Sequence, residues 1–344
     1  MRLSGPNNTL MDISAELVSL FKQELEFCKV NRGDAVVLFT EPRFGQPYPS
    51  AFMSAATEMG ADVLEVMIPA IRAGITKPVT EALKLADIVI DMTQIPGGHS
   101  PWLYTESHNE VLASGSKTLM VFQPQESLRR LLPDQASTKR ARAGAEFFND
   151  VKTIRVKSDA GTDLTCSKEG RMGGFQQGFS DEPGRWDHWP SAQVACAPLE
   201  TSANGRVVLN TGDFVINFNR MITQPVALTV SNGKITKVDG GPDAVEIEEY
   251  FRSHDSDSRG LAHIGWGCEH RAIWGASTMD VESYFANCLI AFGSNFFKGP
   301  AKGCGLGGKN HSNGHLDIGM RGTEFYADDV QITKNGKIVY DKVK

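Results

Sequence analysis

The stretch DIVIDMTQIPGGHS, residues 87–100, opens as an unbroken apolar run and ends in proline, glycine and a histidine. Three other runs share the character of its first half: DAVVLFT (34–40), DVLEVMI (62–68) and TLMVFQ (118–123). Each has the length of a strand rather than of a helix. Segments of helical spacing lie between them, such as PSAFMSAATEMG (49–60) and PVTEALKLA (78–86). Ahead of the first run, Ile13, Leu17, Leu20, Phe21 and Leu25 also recur at helical intervals. Apolar strands alternating with helices predict a parallel sheet covered on both faces. Such sheets bind ligands beyond the carboxyl ends of their strands, and residues 94–100 run off one such end. His99 is therefore a candidate for a ligand crevice.

The texture changes near residue 150. KTIRVKS, RVVLN, DFVINF and VALTVSNGKITKV read as strands, and AVEIEEYFRS (244–253) as a helix. Asn232-Gly233 and Asn335-Gly336 supply the residue pairs that tight hairpins require. A chain of 344 residues fits two domains. The expected architecture is an α/β N-terminal domain with a parallel sheet, residues 1–150, followed by a strand-rich α+β C-terminal domain, residues 151–344.

Composition narrows the function. The net charge is −6, and the one basic cluster, KRARA (139–143), is a single turn of an expected helix. A nucleic-acid partner would call for a basic stripe, so none is expected. The N-terminus has no apolar signal core, and no run approaches the roughly 18 apolar residues of a membrane helix. Six cysteines (Cys28, Cys166, Cys196, Cys268, Cys288, Cys304) are scattered without a C-x-x-C pair. This argues against a zinc knuckle and for a reducing compartment, so the expected location is cytoplasmic with no membrane partner. Neither a dinucleotide nor a P-loop fingerprint is present.

The chemistry gathers around a few histidines. In GGKNHSNGHLDIG (307–319), His315 and Asp317 are two positions apart. On an extended strand such residues point to the same side and can reach one ion. His263, in AHIGWG, is the natural third ligand. Two histidines and one carboxylate on one face leave coordination positions open, the usual cage for non-haem iron(II). The alternative is a surface strand whose polar side faces water. His311 sits in N-H-S-N-G, which is turn chemistry. A second dense block, DEPGRWDHWPS (181–191), holds Glu182, Arg185, Trp186, Asp187, His188 and Trp189. It reads equally as a pocket wall for a flat ring or as a packed loop with Arg185 paired to Asp187.

GFSDEPGRWDHWPS, AHIGWG and GGKNHSNGHLDI together resemble the 2,5-dihydroxypyridine 5,6-dioxygenase family, whose fold is related to the M29 thermophilic aminopeptidases. The motifs occur in the right order, and GGHSP matches in the N-terminal half; the first 85 residues carry little resemblance beyond the α/β pattern. The resemblance implies an iron(II) ion held by His263, His315 and Asp317. It implies catalytic roles around the substrate for His99, His188 and Glu182, with Arg185, Trp186 and Trp189 as substrate-binding candidates. The implied reaction opens a hydroxylated pyridine ring with O2, from 2,5-dihydroxypyridine to N-formylmaleamate. IPGGHSPWL departs from the family around His99, which leaves room for a substituted or different ring. A homo-oligomer is expected, with a hexamer as its size. The competing expectation is an M29-like metal-dependent aminopeptidase or related hydrolase, for which Glu182 and Glu269 are the candidate extra ligands.

Overall fold

The structure is a computed structural model; it describes residues 6–42, 47–68, 75–94, 100, 102–297, 302–303 and 307–344. His99 and Cys304 lie outside the described residues. The chain divides into two compact units. The first is made of described residues within 1–95, 99–122 and 179–189, and the second of 123–178 and 190–344. Residues 123–150 and 179–189 thus fall on the other side of the division from the expected boundary at 150.

The first unit has a sheet of five parallel strands in the spatial order Arg185–His188, Lys117–Met120, Ile88–Asp91, Ala35–Thr40, Asp62–Met67. Four of these are the apolar runs, and the middle strands are buried on both faces. Val37, Phe39 and Val89 pack with Leu83 and Val111 from the helices Lys77–Lys84 and Glu106–Ala113. The helices Pro6–Phe27 and Tyr48–Glu58 meet where the Phe21 and Phe52 rings stack, 4.0 Å between centroids. Strand order reverses between Ala35–Thr40 and Ile88–Asp91, so residues 92–94 leave the carboxyl edge at the switch point of the sheet.

The fifth strand, Arg185–His188, is the part of the tryptophan block that neither reading of it as loop or wall anticipated. Trp186, Asp187 and His188 pair in parallel with Thr118, Leu119 and Met120. This pairing is why residues 179–189 return to the first unit.

The second unit contains two antiparallel sheets. One has eight strands in the order 234–240, 226–231, 204–209, 163–167, 153–158, 323–327, 330–334, 337–338. The other has seven, in the order 220–221, 214–215, 315–320, 288–293, 261–267, 193–196, 174–176. Apolar residues of both sheets share one core with Ala141 and Phe148 of helix Gln135–Asp150 and with Ile247 and Phe251 of helix Pro242–Arg252. Both expected hairpin turns form. Asn232 and Gly233 have φ of 49° and 81°, and Asn335 and Gly336 have φ of 51° and 69°, the left-handed pairs that tight hairpins need. The α/β half followed by a strand-rich α+β half is the architecture expected. Cys28, Cys166, Cys196, Cys268 and Cys288 are buried free thiols. No helix among the described residues is long and apolar enough to cross a membrane.

Candidate active site

Three neighbouring strands of the seven-stranded sheet build the site. Leu261–Gly267 (LAHIGWG) runs antiparallel to Cys288–Gly293 (CLIAFG), which runs antiparallel to His315–Met320 (HLDIGM). His263 lies opposite Ala291, Ala291 opposite Asp317, and Gly293 opposite His315. Directly opposed residues share a face, so His263, His315 and Asp317 stand on one side of the sheet. Between them the central strand offers only a methyl group and a hydrogen. The alternate residues Ile264, Trp266, Ile290, Phe292, Leu316 and Ile318 belong to the core. A register shift between Leu261 and His263 sets this phase, because Leu261 and Ile264 are both core residues although three positions apart. Gly293 has φ of 120°, and a Cβ there would lie 2.1 Å from the carbonyl oxygen of Gly314. Only glycine fits that corner.

The donor atoms converge. Asp317 Oδ1 is 3.1 Å from His263 Nε2 and 3.2 Å from His315 Nε2. One donor atom from each of the three residues lies within 4.8 Å of the others. First-row metals bond such donors at roughly 2.0–2.2 Å, so gaps near 3 Å suit neighbouring corners of one coordination shell. His315 Nδ1–H donates to the Ser294 carbonyl at 2.6 Å, which turns Nε2 toward the cluster. Asn217 clamps the strand: its Nδ2 donates to the His315 carbonyl at 2.7 Å and its Oδ1 accepts from the Asp317 amide at 2.8 Å. The Tyr250 hydroxyl oxygen accepts from the His315 amide at 2.9 Å. Burial lowers the pKa of His263 by more than the Asp317 carboxylate restores. Burial alone would raise Asp317, but the His315 charge and the hydrogen bonds from both histidines hold it well below the usual carboxylate range. A neutral imidazole and an ionised carboxylate are the protonation states that a metal ion requires of its ligands. His263 Nδ1 is buried and has no hydrogen-bond partner among the described residues.

A second acid–histidine group, Asp134, Glu269 and His270, is committed elsewhere. Asp134 caps helix Gln135–Asp150 through the amides of Ala136 and Ser137. Both Glu269 oxygens are held by Arg271, at 2.9 and 2.8 Å. Glu269 is therefore not poised to serve as an extra metal ligand. His311 stacks on Phe296 with centroids 3.7 Å apart, in keeping with a loop role.

The tryptophan block lies in the first unit. Arg185 is fully buried and donates from Nη2 to Asp187 Oδ2 at 2.7 Å, while Asp187 Oδ1 accepts from the His188 amide at 3.0 Å. Trp186 and Trp189 are buried as well. The Arg185–Asp187 pair is the one that the packed-loop alternative expected, and the strand they sit on carries His188. The His188 ring meets Trp186 and Phe122 edge-on, with centroids 5.3 and 5.7 Å away. Glu182 is half-buried, and its carbonyl accepts from the Arg185 amide. Behind this strand His108 lies buried between Trp102 and Trp186, and burial, with the nearby His188, lowers its pKa to about 3.

Asn217, Tyr250, Ala291 and Gly293 escaped the sequence reading. The run CLIAFG carried a signal for the last two: a strand whose alternate residues are small marks a face that something else must occupy.

Fold and cluster together define a protein with a parallel α/β unit and an antiparallel unit that gathers two imidazoles and a carboxylate on one sheet face. The profile of the 2,5-dihydroxypyridine 5,6-dioxygenase (NicX) family matches residues 16–340, and the chain belongs to that family. It is 28% identical over 353 residues to the 2,5-dihydroxypyridine 5,6-dioxygenase of Pseudomonas putida KT2440, covering 95% of this chain and 97% of that one. The solved structure of 2,5-dihydroxypyridine dioxygenase from the same organism superposes with a TM-score of 0.85 at 27% identity, over 96% of this chain and 99% of that chain. AmpT from Thermus thermophilus shares the fold at a TM-score of 0.58 and 15% identity, over 94% and 99% of the two chains.

Proposed function

We propose that this protein is a ring-cleaving dioxygenase that opens a hydroxylated pyridine with O2, 2,5-dihydroxypyridine first, to N-formylmaleamate, using iron(II) held by His263, His315 and Asp317. The observation that carries the reading is the convergence of those three side chains on one sheet face, with Asp317 Oδ1 3.1 and 3.2 Å from the two imidazole nitrogens. Iron(II), when bound, supplies a meeting point for O2 and a closed-shell ring that react sluggishly alone, and passes electron density between them.

The chain's own residues do the rest. His263, His315 and Asp317 would hold the ion, and three protein ligands would leave it free to take others. The Ser294 carbonyl fixes the His315 tautomer, and Asn217 fixes the strand that carries both His315 and Asp317. Ala291 and Gly293 keep the floor between the ligands low. His99 and His188 are the candidates to take the proton of the substrate's 5-hydroxyl and return it later, a role suited to imidazole near neutral pH. Glu182 is the candidate to orient a ring N–H or hydroxyl. The reading includes a cytoplasmic homo-oligomer, with a hexamer as the size to test by sedimentation.

The hydrolase alternative needs more carboxylate ligands. Glu269, its candidate in the second unit, is already held on both oxygens by Arg271. The deciding experiment is anaerobic reconstitution with iron(II), followed by oxygen uptake and loss of ring absorbance with 2,5-dihydroxypyridine. Stoichiometric uptake supports the dioxygenase. Zinc- or cobalt-dependent release of amino acids from peptides, with no oxygen uptake, would replace it with the hydrolase.

A further inference from the structure

The triad is not alone on its sheet face. Gly267 is four residues beyond His263 on the same strand and so points to the same side. Gln193 lies opposite Gly267, and Gln176 lies opposite Gln193 on the next strand. The face therefore runs from His263, His315 and Asp317 across Ala291, Gly265 and Ala195 to a pair of glutamines. A Cβ at Gly267 would lie 2.3 Å from the Tyr284 carbonyl oxygen, and one at Gly319 would lie 2.5 Å from Val281, so the helix Thr278–Ser283 covers this end of the floor. That helix brings in Glu282.

The amide of Gln193 is pinned. Its Nε2 donates to Gln176 Oε1 at 2.6 Å and to Glu282 Oε2 at 3.2 Å. Gln176 Oε1 also accepts from Ser191 Oγ at 2.8 Å. Both amide hydrogens have acceptors, and turning the amide over would set its oxygen against Gln176 Oε1. Gln193 Oε1 is left over: the residue is only 4% exposed, and this oxygen has no donor among the described residues. Buried acceptors without donors are rare and costly, and a ligand that brings a donor removes the cost.

Resting on the ring-cleaving reading above, we infer that Gln193 Oε1 is a second recognition point on this face, accepting a hydrogen bond from a donor on the ring remote from the 5-hydroxyl. That donor is the ring N–H of the 2-pyridone form or the 2-hydroxyl of the hydroxypyridine form. Gln176 and Glu282 are positioning residues that keep the amide oxygen, and not the amide nitrogen, turned toward the ligand. The row of Gly267 is about 13 Å from the row of His263, at roughly 3.3 Å per residue. The side chains at both ends rise from the same face of the sheet, with the small residues Gly265, Ala195 and Ala291 between them.

The test uses the iron-loaded protein under anaerobic conditions. Binding of 2,5-dihydroxypyridine is compared with binding of 5-hydroxy-1-methyl-2-pyridone, which has no donor at either position. The wild type should prefer the donor ring by about 10-fold or more. Gln193→Met, of similar length and without the acceptor, should bring the two affinities within about 3-fold of each other. Gln176→Leu should also erode the preference by freeing the amide to turn, and it carries the test if the first variant does not fold. A preference that survives in the folded variants, or that is missing in the wild type, overturns the inference. Wild-type binding with the expected preference but no oxygen uptake sinks the ring-cleaving reading and leaves the Gln193 contact standing. Binding of neither ring overturns both.

Discussion

Asn217 touches no donor atom of the triad, yet it fixes the backbone that carries two of the three. Its two hydrogen bonds reach the His315 carbonyl and the Asp317 amide, 2.7 and 2.8 Å away. Asn217→Ala should cost about 1–3 kcal/mol of stability, read by urea denaturation. It should also weaken iron binding by about 10-fold, read by competition with a chelator. His315→Ala removes one of the three proposed metal ligands. A ligand that binds only the folded state raises the melting temperature. Chelation should therefore lower the melting temperature of the iron-loaded wild type and leave that of the variant unmoved. At this scale the sequence disclosed the H-x-D pair, because the spacing of two is a property of any strand. It could not disclose Asn217, whose partner is 98 positions away.

At the scale of elements, the helix Gln135–Asp150 shows how packing overrides local preference. Gly144 sits in its middle, where alanine would ordinarily favour a helix by up to about 1 kcal/mol. Here an added Cβ would lie 2.5 Å from Val194 Cγ2 and 2.9 Å from Trp266 Cζ2. Overpacking of that kind costs about 1–3 kcal/mol, which outweighs the propensity gain. Gly144→Ala should therefore destabilise the protein by up to about 2 kcal/mol net, as a lower urea midpoint with an unchanged slope. The hairpins at Asn232-Gly233 and Asn335-Gly336 were legible because a turn's dihedral angles depend on the two residues in it. The strand Arg185–His188 was not, because its partner Lys117–Met120 is distant in sequence and RWDH has no apolar run of its own.

For the whole molecule, stability against pH has one readable contribution in Asp213. Burial lifts its carboxyl to about 6, although the amides of Arg321 and Asn210 and the Arg321 charge pull it down. A carboxyl raised on folding holds its proton more tightly in the folded chain than in the unfolded one. Its contribution to stability is thus present below about pH 4 and is lost as pH climbs through about 6. Relative to Asp213→Asn, the wild type should lose about 2–3 kcal/mol between those values. Denaturation curves of both proteins across that range give the difference, and parallel curves would remove Asp213 from the account.

The sequence by itself determined the succession of elements, the change from parallel to antiparallel architecture, the turn residues and the H-x-D pair of His315 and Asp317. These follow from spacing and backbone preference, which act over a few residues. Only the tertiary structure decided that residues 123–150 pack with the second unit and that 179–189 complete the first unit's sheet. It alone placed Ala291 and Gly293 between the histidines and left Gln193 with an unanswered oxygen. The reason is physical: strand register and buried polar pairing join residues far apart in the chain, and no local pattern encodes which distant neighbour a side chain will face.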